Sequence, residues 1–155
     1  MTNPFMATAI RLAIENARSG HGGPFGAVVV RDDRIVAEGV NEVTALNDPS
    51  AHAEVMAIRA ACQKLARFEL SGCDLYSSCE PCPMCLGAIQ WARLRRVYFG
   101  GVAADASQFG FDDSAIYSEF SRPLAERAIP MIHMMREESL EAFRVWKENA
   151  NRTPY

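Results

Sequence analysis

In the N-terminal half of the chain, the apolar residues are spaced first as in a helix, then as in two β-strands, and then as in a helix again. Apolar residues recur at helical spacing from Phe5 to Ala17 and "SGHGGP" ends the pattern, which predicts a helix with one apolar face. "FGAVVVRDDRIVAEGVN" then has two β-rich runs on either side of a polar "RDD", which predicts a β-hairpin. "DPSAHAEVMAIRAACQKLA" predicts a second helix, with Asp48 or Ser50 as its N-cap and Pro49 near the first turn.

Short β-rich segments continue to alternate with helical patterns in the rest of the chain. "CDLYSSC" predicts a strand that Pro81 and Pro83 end, "MCLGAIQWARL" a third helix whose first turn carries the thiols, and "RRVYFGG" the next strand. "FGFDDSAIYSEF" predicts a loop and a short helix, "AIPMIHMM" a fifth strand, and "REESLEAFRVWKENA" a terminal helix. Strands that alternate with helices predict an α/β layered domain with helices on both faces of the sheet.

Composition and charge restrict the class of protein. A chain of 155 residues with 49% hydrophobic and 23% charged residues is typical of one soluble globular domain, residues 1–155. A formal net charge of -3 disfavours a nucleic acid partner, because nonspecific nucleic acid binding depends on clustered Lys and Arg. A small neutral substrate fits this charge better. No apolar run approaches the roughly 20 residues of a membrane span.

Cysteine usage and the N-terminus indicate the compartment. Five cysteines, odd in number and irregular in spacing, predict reduced thiols rather than a disulfide framework. The N-terminus carries Arg11 and Glu15 inside its apolar pattern and lacks a basic start, so an amphipathic helix is predicted there and not a signal peptide. We therefore expect a cytoplasmic protein.

Two short motifs carry the candidate chemistry. "HAE", residues 52–54, begins the second predicted helix, and "PCPMC", residues 81–85, begins the third. Together they form the H-x-E and P-C-x-x-C signature of zinc-dependent base deaminases. Each half alone is a weak indication, since a lone C-x-x-C is also typical of a redox pair and a lone histidine near a helix start is usually a cap or a packed ring. Both halves open helices, whose positive ends favour thiolate over thiol.

The number of cysteine ligands decides whether such a zinc site is structural or catalytic. Three thiolates and one histidine close a tetrahedral shell, whereas two thiolates and one histidine leave a position for water. Cys82 and Cys85, at i and i+3, can reach one ion from a helix start. Cys79 belongs to the preceding extended segment and lies outside the signature, so we expect it to be a buried thiol. The predicted ligands are His52, Cys82 and Cys85, and the predicted site is open.

Glu54 is the predicted proton shuttle of this open site. Residues two apart on a regular helix do not face each other, so the helix must present its end if His52 and Glu54 are to reach the same ion. With His52 at the first turn, Glu54 can reach the water from beside it. The alternative interpretation of Glu54 is a solvated acidic residue that the helix dipole favours at a helix start.

The whole chain resembles the cytidine deaminase superfamily and, within it, the small bacterial guanine deaminases. The zinc motif and "NDPSAHAE" are shared with the tRNA adenosine deaminases and indicate only the superfamily, whereas "GFDDS" and the terminal aromatic Tyr155 favour the guanine deaminases. The segments that carry the resemblance are "GGPFGAVVV" at 22–30, "EGVNEVT" at 38–44, "NDPSAHAEVMAIR" at 47–59, "SSCEPCPMCLGAIQWAR" at 77–93 and "GFDDSAIY" at 110–117.

The resemblance implies a fold, a cofactor and an assembly. The implied fold is a three-layer α/β/α sandwich with a central five-stranded mixed sheet, with one zinc ion per subunit and a homodimer in which the C-terminal segment can be exchanged between subunits. The implied reaction is hydrolysis of guanine to xanthine and ammonia. Glu54 then accepts a proton from water and delivers it to ring nitrogen N3, and a second transfer through Glu54 or Asp113 releases ammonia. Asp112 is the alternative to Asp113 as the carboxylate that contacts the substrate, and a helix cap is the other interpretation of Asp113.

The same resemblance implies the substrate contacts. Asn41 matches the residue that reads the base edge, a task that suits an amide because it offers both a donor and an acceptor. Phe25 and Trp91 match positions that line the base pocket, and Ala53 belongs to the same substrate-binding set. Tyr155 matches the terminal aromatic that closes the pocket, in its own subunit or in the partner subunit. The alternatives are a turn former for Asn41 and core packing for the two aromatic rings.

Three other functions fit parts of this pattern. A tRNA adenosine deaminase would use the same chemistry at C6 of a flipped base, but it needs a basic surface and the last predicted helix mixes both signs of charge. A non-catalytic zinc-stabilised module would use Cys79 as a fourth ligand and would not need Glu54. A redox protein would use Cys79 and Cys82 and leave the histidine and glutamate without a role.

Overall fold

The first helix begins and ends at signals that are local in the sequence. In a computed structural model, which describes residues 2–155, α1 spans Pro4–Ser19, and the Asn3 side chain caps it by accepting from the backbone N–H groups of Phe5 and Met6. Gly20 ends the helix in the left-handed region, at φ 70°, where a residue without Cβ is not strained. The predicted first helix is therefore confirmed.

Four strands form one mixed sheet. They are β1 (Gly26–Arg31), β2 (Arg34–Val40), β3 (Asp74–Cys79) and β4 (Arg96–Gly101), in the order β2-β1-β3-β4. The first two form the predicted hairpin, β1 also pairs antiparallel with β3, and β3 pairs parallel with β4. The parallel pair needs a crossover, which α4 (Pro83–Trp91) provides. The α/β class and the mixed sheet are thus confirmed.

Successive residues of β1 point to opposite faces of the sheet and pack against different helices. Ala27 and Val29 belong to a buried cluster with the apolar side of α3 (Ala53–Leu65). Val28 and Val30 are packed together with Phe5, Met6 and Leu12 of α1. The strand is therefore buried on both sides, which explains why "GAVVV" is continuously apolar rather than alternating.

The second helix starts later than the predicted caps suggest. Asp48 and Ser50 do not cap α3, because the Asp48 carboxylate accepts from both the backbone N–H and the hydroxyl of Ser50 and so closes the preceding turn. The residue at the N-cap of α3 is His52, with extended backbone angles and no capping bond from its side chain. The imidazole is thereby left for another partner. A short helix, α2 (Val43–Leu46), between the hairpin and this turn was not predicted.

The chain divides into two compact units, Met1–Ser114 and Ala115–Tyr155. Helix α5 (Ala103–Gln108) lies in the first unit, and α6 spans Ser114–Ser121. A 3₁₀ turn, Leu124–Glu126, and the predicted terminal helix α7 (Arg136–Glu148) follow.

The predicted fifth strand is wrong. Among the described residues, 128–135 form neither helix nor strand, and the sheet has four strands. Pro130 lies within "AIPMIHMM" and removes a backbone donor that a strand ladder needs. Ile129, Met131, Ile132 and Met134 all expose more than half of their surface, so the run is apolar without being buried in this chain. Across residues 2–155 no helix has the length and apolar character needed to cross a membrane.

Candidate active site

Two helix starts bring one imidazole and two thiols together. His52 precedes α3, while Cys82 occupies the N-cap of α4 and Cys85 its first turn. The Nδ1 atom of His52 lies 3.5 Å from Sγ of Cys82 and 3.5 Å from Sγ of Cys85. The three candidate ligand atoms all lie within 4.8 Å of one another. The residue before each helix, His52 or Cys82, has extended backbone angles, and the N-terminal ends of both helices meet at this group of side chains.

This donor set fits a zinc ion. Zn–S and Zn–N bonds of about 2.3 and 2.0 Å that meet at the tetrahedral angle separate the sulfur from the nitrogen by about 3.5 Å. Both observed separations between His52 and the thiols have this value. Three protein ligands of this kind are the number found in catalytic zinc sites, which keep one position for water.

The two thiols differ in their acidity. The hydrogen bond with Cys85, together with the one from His52, lowers the pKa of the Cys82 thiol to about 4. The hydrogen bond to Cys82 and burial raise the pKa of the Cys85 thiol above its ordinary value. Zinc requires both sulfurs as thiolates, so its binding releases protons and weakens as the pH falls.

Cys79 lies outside this cluster. It is the last residue of β3, is half-buried, and its sulfur contacts the backbone carbonyl of Val102 at 3.9 Å. Burial raises the pKa of the Cys79 thiol, which opposes thiolate formation. Among the described residues, the histidine and cysteine group that could hold a metal comprises His52, Cys82 and Cys85 alone.

Glu54 is buried against the metal cluster. Its side chain belongs to the first turn of α3, and only 6% of the residue is exposed. Ser77 of β3 donates to Oε1 at 3.1 Å, and the Cys85 thiol donates to Oε2 at 3.4 Å. Burial raises the pKa of the Glu54 carboxyl above its ordinary value, which moves it toward the neutral range where a proton shuttle works best. A solvated helix-start acid does not fit these contacts.

The predicted base contacts Phe25 and Asn41 lie at the end of the loop after α1 and just after β2, and we call these segments, residues 20–25 and 41–44, the rim. The Oδ1 atom of Asn41 accepts from the backbone N–H of Gly23 at 3.1 Å and from that of Val43 at 3.4 Å. Because both partners are donors, the amide oxygen is fixed on that side, and these bonds do not use the Nδ2 group. The backbone N–H of Asn41 donates to the carbonyl of Phe25, so the two predicted base contacts are joined directly.

The loop before α6 approaches the same rim. Phe111 meets the ring of Phe25 edge to face, with centroids 4.9 Å apart. Asp113 is half-buried, and desolvation, reinforced by the charges of Cys82 and Asp112, raises its pKa. Asp112 is exposed and accepts from the backbone N–H of Ser114, which lowers its pKa and closes a turn just before α6. Of the two carboxylates, Asp113 is the one whose environment is coupled to the metal cluster.

The remaining predicted contacts differ in position. Ala53 is fully buried between His52 and Glu54 at the start of α3. Trp91 is the last residue of α4, six residues after Cys85, and by the helix rise it lies roughly 9 Å further along the axis. Its side chain is 71% exposed. Tyr155 belongs to the second unit and is 72% exposed. Trp91 therefore lies at the opposite end of α4 from the two cysteines of the candidate metal cluster.

Known proteins resemble this chain in sequence and in fold. Residues 2–101 match the family model of the cytidine and deoxycytidylate deaminase zinc-binding region. The chain belongs to this deaminase family. The guanine deaminase of Bacillus subtilis strain 168 is 52% identical over 151 residues, which are 97% of this chain and 97% of that protein. The X-ray structure of guanine deaminase from Bacillus subtilis superposes with a TM-score of 0.97 at 51% identity, covering 100% of this chain and 99% of the other. A tRNA-specific adenosine deaminase of Agrobacterium fabrum is 40% identical over 139 residues, 87% of this chain and 89% of that protein.

Sequence reasoning missed two polar residues that support the deaminase site. Ser77 is 1% exposed and holds the Glu54 carboxylate, and its only signal was a small polar residue in an apolar strand before the cysteine loop. Glu80 accepts from the backbone N–H of Ala103 at 2.9 Å and so ties the start of that loop to α5. Neither contact is local in sequence.

Proposed function

We propose that this chain hydrolyses guanine to xanthine and ammonia. The observation that supports this substrate most strongly is the similarity to a guanine deaminase over nearly the full length of both chains, including the segment after the zinc-binding region. The site supports the reaction class independently, because a His-Cys-Cys metal cluster with a buried carboxylate beside it is the arrangement of zinc-dependent base deaminases.

The residues of this chain have distinct roles in the reaction. His52, Cys82 and Cys85 would hold one zinc ion per subunit, which when bound supplies a water activated at neutral pH. Glu54 takes the proton of that water and delivers it to N3 of the purine as the C2 atom becomes tetrahedral. Glu54 or Asp113 then passes the proton of the new C2 hydroxyl to the amino group, so that the exocyclic C2–N bond breaks, ammonia leaves and the C2 carbonyl of xanthine forms. The raised pKa values of both carboxyl groups suit this exchange of protons.

The rim residues hold the base during these transfers. Asn41 donates through Nδ2 to an acceptor on the edge of the base, since its oxygen is occupied by the backbone. The face of Phe25 packs on the purine, Ala53 lines the floor of the pocket between the ligand and the shuttle, and Trp91 borders the pocket from the end of α4. Fixing the base in reacting geometry is itself a large part of such catalysis.

We further propose that residues 1–155 act as one cytoplasmic deaminase domain of three α/β/α layers, and that two copies form a homodimer. In the second unit, the large apolar side chains of the segment 128–135 are exposed, as expected of a surface that another chain covers. In this proposal the C-terminal segment is exchanged, and Tyr155 closes the partner subunit's site.

An ammonia-release screen tests the substrate. The zinc-loaded enzyme is offered guanine, cytosine, adenine, cytidine, guanosine and a tRNA anticodon stem-loop, and we expect release from guanine to exceed release from each of the others at least about tenfold. Release confined to cytidine would contradict guanine as the substrate, and release confined to the stem-loop would assign the chain to the tRNA adenosine deaminases. A chain that binds zinc and releases no ammonia from any of them would be a structural module.

A further inference from the structure

A single buried amide, that of Asn16, connects α1 to both segments of the rim. Asn16 lies in the last turns of α1 and is 6% exposed. Its Nδ2 group donates to the carbonyl of Gly23 at 2.9 Å and to the carbonyl of Asn41 at 2.8 Å. One NH₂ group has two protons, so both are used. No other residue type of this size offers two donors from one atom at the end of so short a side chain.

The two carbonyls that Asn16 holds belong to one predicted base contact, Asn41, and to Gly23, which is bonded to the other. The Gly23 carbonyl also accepts from the backbone N–H of Phe25 at 2.8 Å, and the Gly23 N–H donates to the Asn41 side chain. The Asn16 amide therefore binds Asn41 directly and shares the Gly23 carbonyl as an acceptor with Phe25.

The backbone at this point is packed too closely to tolerate a shift. A Cβ at Gly22 would lie 1.9 Å from the Asn41 carbonyl oxygen and 3.1 Å from Nδ2 of Asn16. A second link lies at the surface, where His21 contacts the Glu42 carboxylate at 3.0 Å and its carbonyl accepts from Thr44 at 3.2 Å. These outer contacts are exposed, so the buried amide is the part of the connection that water does not compete with.

We propose that Asn16 is a positioning residue for substrate binding, which fixes Asn41 and Phe25 in the geometry that receives the base. Asn16 touches neither the metal cluster nor Glu54 in the contacts described above. Its action is confined to the rim, and it orients the Nδ2 group of Asn41 toward the base edge. The inference rests on the proposed guanine reaction only for the identity of that base.

The test compares three variants of the zinc-loaded enzyme. Asn16→Ala removes the amide, and Asn16→Asp keeps the shape but loses both donors. Asn3→Ala is the matched control on the same helix, because it removes the N-cap of α1 and leaves the rim intact. For both Asn16 variants we expect KM for guanine to rise at least about tenfold and kcat to change less than about threefold, since loss of binding shared by ground and transition states appears in KM. Zinc content stays at the wild-type level.

Several outcomes would overturn this role. An unchanged KM in either Asn16 variant would do so, and so would an equal rise in KM in Asn3→Ala. An Asn16 variant that lost its fold and its zinc while Asn3→Ala kept both would assign Asn16 to the core. If wild-type enzyme did not act on guanine, the proposed function would fail separately, and amide hydrogen exchange would then decide. Faster exchange at residues 20–25 and 41–44 in Asn16→Ala than in Asn3→Ala supports the positioning role, and equal exchange contradicts it.

Discussion

At the scale of single residues, Glu54 and Cys79 are both acidic side chains that the fold removes wholly or partly from water, one beside the metal cluster and one outside it. Glu54 is a carboxylate that has been taken out of water and is held by a hydroxyl and a thiol. Cys79 is a half-buried thiol three residues before a ligand, and it faces a backbone carbonyl. Burial raises the pKa of both side chains, and of the two we propose only the Glu54 carboxyl group as a proton carrier.

Replacing Glu54 by glutamine tests the proton shuttle. Glu54→Gln keeps the shape and most hydrogen bonds, so we expect zinc content at the wild-type level and a kcat lowered by roughly 10²-fold or more, because an amide cannot carry the proton. Steady-state ammonia release and metal analysis measure the two quantities. Glu38→Gln, at an exposed glutamate of β2, is the control and should keep wild-type kcat. Near-normal turnover in Glu54→Gln would leave Glu54 as a helix-start acid.

Replacing Cys79 by serine tests the ligand count. Because its sulfur lies outside the three-residue cluster, Cys79→Ser should retain about one zinc per chain, whereas Cys82→Ser and Cys85→Ser should lose most of it. Metal analysis after gel filtration in dilute chelator measures the retention. X-ray absorption showing three sulfur neighbours around zinc in the wild type would refute the open site and support a structural one.

At the scale of elements, the active site depends on how closely two helices lie on the sheet. A Cβ at Gly39 of β2 would lie 2.3 Å from the Ala53 carbonyl and 2.4 Å from the Ala57 backbone nitrogen. The start of α3, which carries the candidate ligand His52 and the proposed proton shuttle Glu54, thus packs directly against a strand residue that has no side chain. A Cβ at Gly26 of β1 would meet α1 at 2.5 Å in the same way.

A methyl group at position 39 should therefore disturb both stability and metal binding. Gly39→Ala forces α3 away from β2, and overpacking of this kind costs about 1–3 kcal/mol. We expect a lower urea midpoint and weaker zinc retention, measured by denaturation and by chelator competition. Gly87→Ala is the matched control, since a Cβ there meets nothing within 4 Å and alanine favours the helix by about 0.5–1 kcal/mol. Equal urea midpoints for Gly39→Ala and Gly87→Ala would show that β2 and α3 accommodate the added methyl group without loss of stability.

At the scale of the whole molecule, the sheet and metal cluster belong to the first unit, and Tyr155 ends the second. The two sequence features on which we expect a preference for guanine lie in different units. "GFDDS", residues 110–114, ends the first unit, and Tyr155 ends the second. The proposed exchange between subunits would make the second unit part of a site in another chain.

Removing the last five residues tests that role. Deletion of 151–155 should leave zinc content, folding and the dimer intact, because these residues follow α7 and are exposed. Guanine turnover should fall at least about tenfold, a loss of roughly 1.4 kcal/mol of transition-state stabilisation. Ammonia release and analytical ultracentrifugation measure the two effects. Deletion of Thr2, which is exposed and precedes the Asn3 cap, is a control for loss of a residue at a chain end. Unchanged kinetics after the C-terminal deletion would show that Tyr155 has no part in catalysis.

The sequence alone determined the local elements and the chemistry of the ligands. Helix α1, the hairpin and α7 follow from periodicity and caps within a few neighbouring residues, and the H-x-E and P-C-x-x-C spacing places two helix starts at one ion. Because these signals depend only on residues close together in the sequence, they can be recognised without knowledge of the fold.

Only the tertiary structure decided which polar groups meet across the fold. The Asp48 carboxylate binds the turn at Ser50 and does not cap α3. His52 occupies the N-cap position, where its imidazole lies beside two thiols that follow about 30 residues later in the chain. The apolar run at 128–135 was mistaken for a strand because apolar character does not say whether a chain has a partner for its backbone. The sequence did not identify the partners of Asn16 and Ser77, since the carbonyls and the carboxylate that they hold come from segments 7 to 25 residues away. Hydrogen bonds of that kind depend on distances that only the packed sheet and helices set.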